Sequence, residues 1–130
     1  MISGAGNPVG GTVGIGTSIN YVLNRVYGYS GVIDAETSGT TYLEFETGSE
    51  LIIATVQCFN TENDATVIDW EIFFNSQQIS GYFSEGRGSG EKEHGNQIPL
   101  VIPPYTKVLI KGTGSSAVGG CALLTGKIVN

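Results

Sequence analysis

Two acidic residues at alternate positions form the closest approach to a catalytic pair in this sequence. Asp69 and Glu71 lie in a β-type run, which would place their carboxylates about 7 Å apart on one face of a strand. Paired carboxylates serve as acid and base, or as acid and nucleophile, in glycoside hydrolysis. Alternate acidic residues are, however, far more often the solvated face of a half-buried strand. We favour that second interpretation.

The single histidine, His94, is the next candidate, because Glu91 and Glu93 precede it closely. Imidazole and carboxylate groups bind metals, but neighbouring residues of a polar, glycine-rich segment are poorly preorganised ligands. We therefore predict a solvated loop tip and no metal site. A serine or cysteine nucleophile would need a base, and His94 would have to serve every one of them. The sequence predicts that the protein is not an enzyme.

Glycine-containing motifs and cysteines add no further chemistry. Residues 11–14 and 86–88 look superficially like phosphate-binding loops. Neither segment links a strand to a helix, and neither is followed by the Lys-Ser/Thr pair of such loops. Cys58 and Cys121 fall in no CxxC or Cys/His spacing. We predict no cofactor, and we expect both cysteines to be small buried side chains with reduced thiols.

Composition limits the classes of partner. The length of 130 residues suits one domain. A net charge of −6 with six scattered basic residues argues against direct nucleic-acid binding. The apolar runs are too short to cross a membrane, and we see no secretory signal. Charged residues make up only 14% of the chain, so either partners cover part of the surface or Ser, Thr, Asn and Gln solvate it.

Away from the N-terminus, the apolar pattern has a period of two, which is typical of strands. Residues 18–26 are the best helical candidate, but the segment is short. The pattern predicts eight strands, at 26–33, 41–46, 51–59, 67–74, 79–83, 97–102, 107–111 and 121–129. Their apolar faces predict a core led by Trp70, Ile72, Phe74, Ile52, Ala54, Val56, Leu43, Phe45, Val108 and Ile110. We expect an exposed loop at 84–96 and a glycine- and serine-rich turn at 112–120.

Eight antiparallel-type strands separated by turns predict an all-β sandwich or barrel, and eight is the strand count of the jelly roll. We predict a single jelly-roll domain over residues 21–130, preceded by a flexible glycine-rich arm over residues 1–20. The arm is uncharged up to residue 18, and its many glycines oppose independent folding. Its spaced apolar residues predict contacts between chains through Ile2, Val9, Val13, Ile15 and Ile19. A tail without function, or one folded over its own domain, is the alternative.

Two segments resemble known viral proteins. Residues 98–108 (IPLVIPPYTKV) resemble the tight turn between the last two hairpin strands of viral jelly rolls. Residues 123–129 (LLTGKIV) resemble the closing strand of small structural proteins from tailed-phage heads. The resemblance implies a bacteriophage capsid decoration (cement) protein, a non-enzymatic virion component. Such a protein is expected to form a homotrimer on the capsid exterior, to bridge neighbouring major capsid proteins, and to be assembled in the host cytoplasm.

The jelly-roll topology also implies that the third and eighth predicted strands are neighbours, which would bring Cys58 and Cys121 close together. The rival function is a glycan-binding module, such as a tail-fibre tip or a lectin-like domain, since jelly rolls also serve that role. The tyrosines leave this choice open, because they would stack on sugars if exposed and would act as anchors if buried. These residues are Tyr21, Tyr27, Tyr29, Tyr42, Tyr82 and Tyr105.

Overall fold

A computed structural model describes residues 18–62, 66–85 and 96–129 of the chain. Within these residues the fold is all-β, as predicted, with ten strands and no helix. The strands are β1 (Asn20–Val22), β2 (Arg25–Tyr29), β3 (Ile33–Ala35), β4 (Thr40–Glu46), β5 (Leu51–Asn60), β6 (Val67–Phe74), β7 (Gln77–Glu85), β8 (Asn96–Ile102), β9 (Lys107–Gly114) and β10 (Val118–Val129). In this described part, no helix is long and apolar enough to cross a membrane.

The strands form two antiparallel sheets. The large sheet has the order β1-β2-β10-β5-β8, and β3 also pairs with β10. The small sheet has the order β4-β9-β6-β7. Both sheets contribute to one hydrophobic cluster, so each sheet has an inner face toward this core and an outer face. In both sheets, the alternation of apolar and polar residues predicted from the sequence therefore separates an inner face toward the core from an outer face.

Trp70 and Tyr42 occupy the centre of the core. Their ring centroids lie 4.7 Å apart at 64°, and both side chains are fully buried. The Tyr42 hydroxyl donates a hydrogen bond to the Ile33 carbonyl oxygen at 2.6 Å, which links the small sheet to the large one. The predicted core residues are confirmed, although Phe74 is only partly buried. Residues that the sequence pattern did not single out complete the core, among them Tyr42, Ile102, Val118 and Leu124.

The turn predicted at 112–120 is shorter than predicted, because β9 continues to Gly114 and β10 begins at Val118, which leaves residues 115–117 as the connection. Two of its glycines instead make room for the central aromatic rings. A Cβ atom at Gly112 would lie 2.9 Å from Tyr42 Cε1. One at Gly120 would lie 3.0 Å from Tyr42 Oη and 3.2 Å from Trp70 Cη2, and it would also lie 2.6 Å from Ile68 Cδ1. Small residues are needed at these positions for close packing, not for turning.

The N-terminal part of the domain also differs from the prediction. The predicted first strand is divided into β2 and β3 by a break at residues 30–32. There, Gly31 has a φ of 73°, and Ser30 Oγ accepts a hydrogen bond from the Ala122 amide at 2.9 Å. The segment 18–26, the best helical candidate, is instead part of a hairpin in which β1 pairs with β2. These two changes explain why ten strands occur where eight were predicted.

The predicted pairing of the third and eighth strands is confirmed as β5 with β10. Cys58 pairs with Ala122, the residue after Cys121, so the two cysteines lie on adjacent strands one position out of register. Since successive side chains alternate between faces, the thiols project to opposite sides of the sheet. Both cysteines are buried and free.

Candidate functional site: the outer face of the large sheet

The predicted acidic pair lies on the outer face of the small sheet. Asp69 pairs across strands with Thr113, and Glu71 pairs with Lys111. Among the described residues, no group of three or more His, Cys, Asp or Glu side chains could hold a metal ion. His94, Glu91 and Glu93 lie outside the described residues, as do both phosphate-loop look-alikes. The surroundings of Asp69 and Glu71 agree with the solvated-face interpretation.

The predicted arm residues are placed differently. Ile2, Val9, Val13 and Ile15 lie outside the described residues. Ile19 is only 4% exposed and belongs to the core of its own domain. It packs so closely over β2 that a Cβ atom at Gly28 would lie 3.1 Å from Ile19 Cγ2. The prediction that Ile19 contacts another chain is therefore wrong.

The outer face of the large sheet consists of three rows of side chains that strand register sets side by side. The first row contains Arg25, Lys127, Ile53 and Val101. The second contains Tyr27, Thr125, Thr55 and Pro99, and the third contains Tyr29, Leu123, Gln57 and Gln97. We call these residues the outer face.

No carboxylate occurs in these three rows, although the chain contains 12 acidic residues. The charges on the outer face are those of Arg25 and Lys127, which are direct cross-strand partners. The small sheet differs, because the corresponding side of its strands carries charges of both signs: Glu44, Glu46, Asp69, Glu71, Lys107 and Lys111. The two outer surfaces of the domain therefore have different chemistry, and the large sheet offers the weakly charged one.

A groove crosses the outer face. Its larger part has a volume of about 470 Å³ and extends between Tyr27 and Ile53, with Arg25 and Lys127 also in its lining. Its smaller part, of about 290 Å³, is lined by Gln57 and Gln97, among others. The two parts share Tyr29, Thr55 and Thr125, so they form one continuous groove. The rings of Tyr27 and Tyr29 pack against each other there, with centroids 5.0 Å apart.

One end of the large sheet presents large apolar side chains to solvent. Leu23, between β1 and β2, is 85% exposed, and Tyr105, after β8, is 70% exposed. Val22 and Val129 are exposed at the same end. The turns are tied to this end by backbone hydrogen bonds from Ile128 to Asn24 at 2.7 Å and from Tyr105 to Gly48 at 2.8 Å. We call Val22, Leu23, Tyr105 and Val129 the apolar end.

Both turn residues of the apolar end have left-handed backbones. Leu23 has a φ of 56° and Tyr105 a φ of 54°, a conformation that bulky residues rarely adopt. The turn at Tyr105 is held from inside by Thr47, whose hydroxyl donates to the Pro103 carbonyl at 2.8 Å and accepts from the Thr106 amide at 2.9 Å. Strained conformations that the surroundings enforce are typical of functional sites. The fold therefore holds Leu23 and Tyr105 in exposed positions even though their backbone conformations are strained.

The buried titratable groups serve packing. Burial raises the pKa of Cys58 to about 12, a rise that its hydrogen bond with Tyr82 partly opposes. Burial likewise raises the pKa of Cys121. The Tyr82 hydroxyl donates to the Cys58 carbonyl and accepts from the Cys58 amide at 3.1 Å, which joins the small sheet to the large one. Both thiols therefore stay protonated at neutral pH, a state unsuited to nucleophilic attack.

Comparison with known proteins adds no assignment. No protein-family model matches the chain, and a search of curated proteins finds no similar sequence.

Proposed function

We propose that this protein is a non-enzymatic structural protein that docks onto a protein assembly through the apolar end, in the manner of a capsid decoration protein. The observation that carries the proposal is the exposure of Leu23 and Tyr105 in turns held by hydrogen bonds. Exposed apolar patches on soluble domains mark interaction sites, and large anchors in fixed positions dominate binding energy. Fixed turns also lose little conformational freedom on binding.

The order of strands supports a jelly roll. If β1 is an added edge strand and β2 with β3 counts as one interrupted strand, eight strands remain. These form two four-stranded layers, β2-β10-β5-β8 and β4-β9-β6-β7. In each layer, strands distant in sequence are neighbours, as the Greek-key connections of a jelly roll require. The resemblance to phage-head proteins then supplies the proposed setting: a homotrimer that binds the major capsid protein on the virion exterior.

Light scattering of the full-length chain tests the proposed oligomer, since a homotrimer has three times the chain mass.

Binding is tested by co-sedimentation with viral heads that lack the decoration protein. We expect Leu23→Ser and Tyr105→Ser to lose at least about tenfold in affinity, as for truncated hot spots. Ile79→Ser is the matched control, because Ile79 is exposed on the small sheet. Equal loss in all three variants, or no binding by the wild-type chain, would contradict docking through the apolar end.

A glycan-binding module is the second candidate function. It is favoured by the groove on the outer face, where two tyrosine rings lie beside hydroxyl and amide side chains. Aromatic faces and neutral hydrogen-bonding groups are the side chains that suit sugar rings. The groove and the apolar end use different residues, so they can be tested separately.

A further inference from the structure

We propose that the groove on the outer face binds an acidic saccharide. In this proposal a sugar ring lies against Tyr27 and Tyr29, and its carboxylate or sulfate group contacts Arg25 and Lys127. The inference deepens the glycan-binding candidate and rests on it. It is independent of docking through the apolar end.

The first observation is the placement of the two cations. Arg25 and Lys127 are direct cross-strand partners, and like charges in that relation destabilise a sheet. Both side chains are exposed and both line the groove. The salt bridge found within the described part of the chain joins Lys107 to Glu44 on the other sheet. In a protein with a net charge of −6, two adjacent cations with no carboxylate beside them in the described rows of the outer face are suited to an anion.

The second observation is the lining beyond the cations. Thr55 and Thr125 are cross-strand partners between the two parts of the groove, and Gln57 and Gln97 are partners farther along. Hydroxyl and amide groups both donate and accept hydrogen bonds, which matches the hydroxyl groups of a sugar. The larger part of the groove, about 470 Å³ in volume, is shallow and open to solvent, so a ligand there would lie along the sheet surface and not in an enclosed cavity.

The strand arrangement argues against a peptide ligand. The groove lies over β10, which pairs with β2 on one edge and with β5 on the other. Within the described residues, no strand edge is therefore open to an extended peptide at the larger part of the groove, where the cations lie. The smaller part reaches Gln97 on β8, the outermost strand of this sheet. A nucleic acid is also disfavoured, since a phosphodiester chain needs a series of cations and the outer face offers Arg25 and Lys127 at one end. A ligand with one acidic group beside a polar ring fits this distribution best.

The test is calorimetric titration of the full-length chain with four probes: hexagalacturonate, a heparin hexasaccharide, neutral cellohexaose and the oligonucleotide (dT)6. We expect binding of an acidic saccharide that weakens as salt concentration rises. Hexagalacturonate carries carboxylates and no sulfate, so its tighter binding would indicate carboxylate recognition. Tighter binding of the heparin hexasaccharide, which carries both groups, would indicate that sulfate contributes. Arg25→Gln and Lys127→Gln should each weaken binding about tenfold or more, the loss expected for one charge-assisted contact. Lys107→Gln, which removes an exposed cation from the small sheet, is the matched control.

Three outcomes would overturn the inference. Binding of cellohexaose as tight as that of the acidic probes would leave a glycan-binding module without acid recognition. Tighter binding of (dT)6 would make the site one for phosphodiesters. Absence of saccharide binding at millimolar concentration would remove both the inference and the glycan-binding candidate. Thermal melts of both groove variants should match the wild type or lie slightly above it, because the substituted side chains are exposed and one of two like charges is removed. Leu23→Ser should leave saccharide binding unchanged.

Discussion

The indole N–H of Trp70 donates a hydrogen bond to Ser84 Oγ over 2.9 Å in the middle of the core. Trp70 is 0% exposed and Ser84 is 1% exposed, so water is not available to replace this bond. A buried donor without a partner is costly. Ser84 therefore allows the largest side chain of the core to be buried completely, between the two sheets.

Trp70→Ala should lower the free energy of unfolding by about 3–5 kcal/mol, because it leaves a cavity where the ring packs against Tyr42. Urea denaturation followed by circular dichroism measures the change. Ser84→Ala keeps the ring but leaves its N–H unpaired, and should cost about 1–3 kcal/mol. A change below about 1 kcal/mol for Trp70→Ala would mean that the ring is not buried in solution.

Gly112→Ala should destabilise the domain by about 1–3 kcal/mol, the usual cost of overpacking a core. Its added Cβ atom would lie 2.9 Å from Tyr42 Cε1 and 3.0 Å from Trp70 Cζ3. Gly48→Ala is the matched control, since a Cβ atom there meets nothing closer than 3.4 Å, and its effect should stay within about 0.5 kcal/mol. Thermal melts of the two variants should therefore differ clearly. Equal melting temperatures would show that the rings can move away from β9.

Deletion of residues 1–17 should leave the melting temperature of the domain nearly unchanged, because Ile19 and its core contacts are kept. Ile19→Ala in the full-length chain should instead cost about 2–5 kcal/mol, as for other buried isoleucines. If residues 1–17 make the predicted contacts between chains, light scattering of the deletion variant should show a smaller oligomer. An unchanged solution mass would contradict that role for the arm.

The buried thiols predict a loss of stability at alkaline pH. Burial raises the pKa of Cys58 from 9.0 to about 12 in the folded chain, whereas the unfolded chain ionises near the ordinary value. The folded state therefore holds more protons above about pH 9, and stability falls as pH rises from there toward 12. Burial and the neighbouring Glu50 raise the pKa of Tyr21 from 10.0 to about 12, which adds to the fall.

Urea midpoints at about pH 7 and about pH 10.5 measure this loss. Cys58→Ala should reduce the difference between the two midpoints, because one of the shifted groups is removed. With a thiol reagent at neutral pH, the folded protein should react far more slowly than the urea-unfolded protein. Equally fast reaction of the two states would show that Cys58 and Cys121 are accessible in the native domain.

The sequence by itself determined where most of the strands lie and which way the most regular of them face, because side-chain alternation is a local property with a period of two. The run from Ile68 to Phe74 shows this most clearly, since its acidic and apolar positions became the two faces of β6. The glycines at 112 and 120 were misread as turn residues. Larger residues at these positions would collide with the Tyr42 and Trp70 rings, which come from other strands.

Apart from the pairing of β5 with β10, which the jelly-roll topology implied, only the tertiary structure decided which strands are neighbours, and with them the candidate sites. Arg25 and Lys127 lie near opposite ends of the chain and meet because β2 pairs with β10. Leu23 and Tyr105 share one end of the sheet because β10 and β5 connect their turns through hydrogen-bonded ladders. Pairing between distant strands depends on how the layers bury their apolar faces together. That property belongs to the whole core, so no local pattern in the sequence reports it.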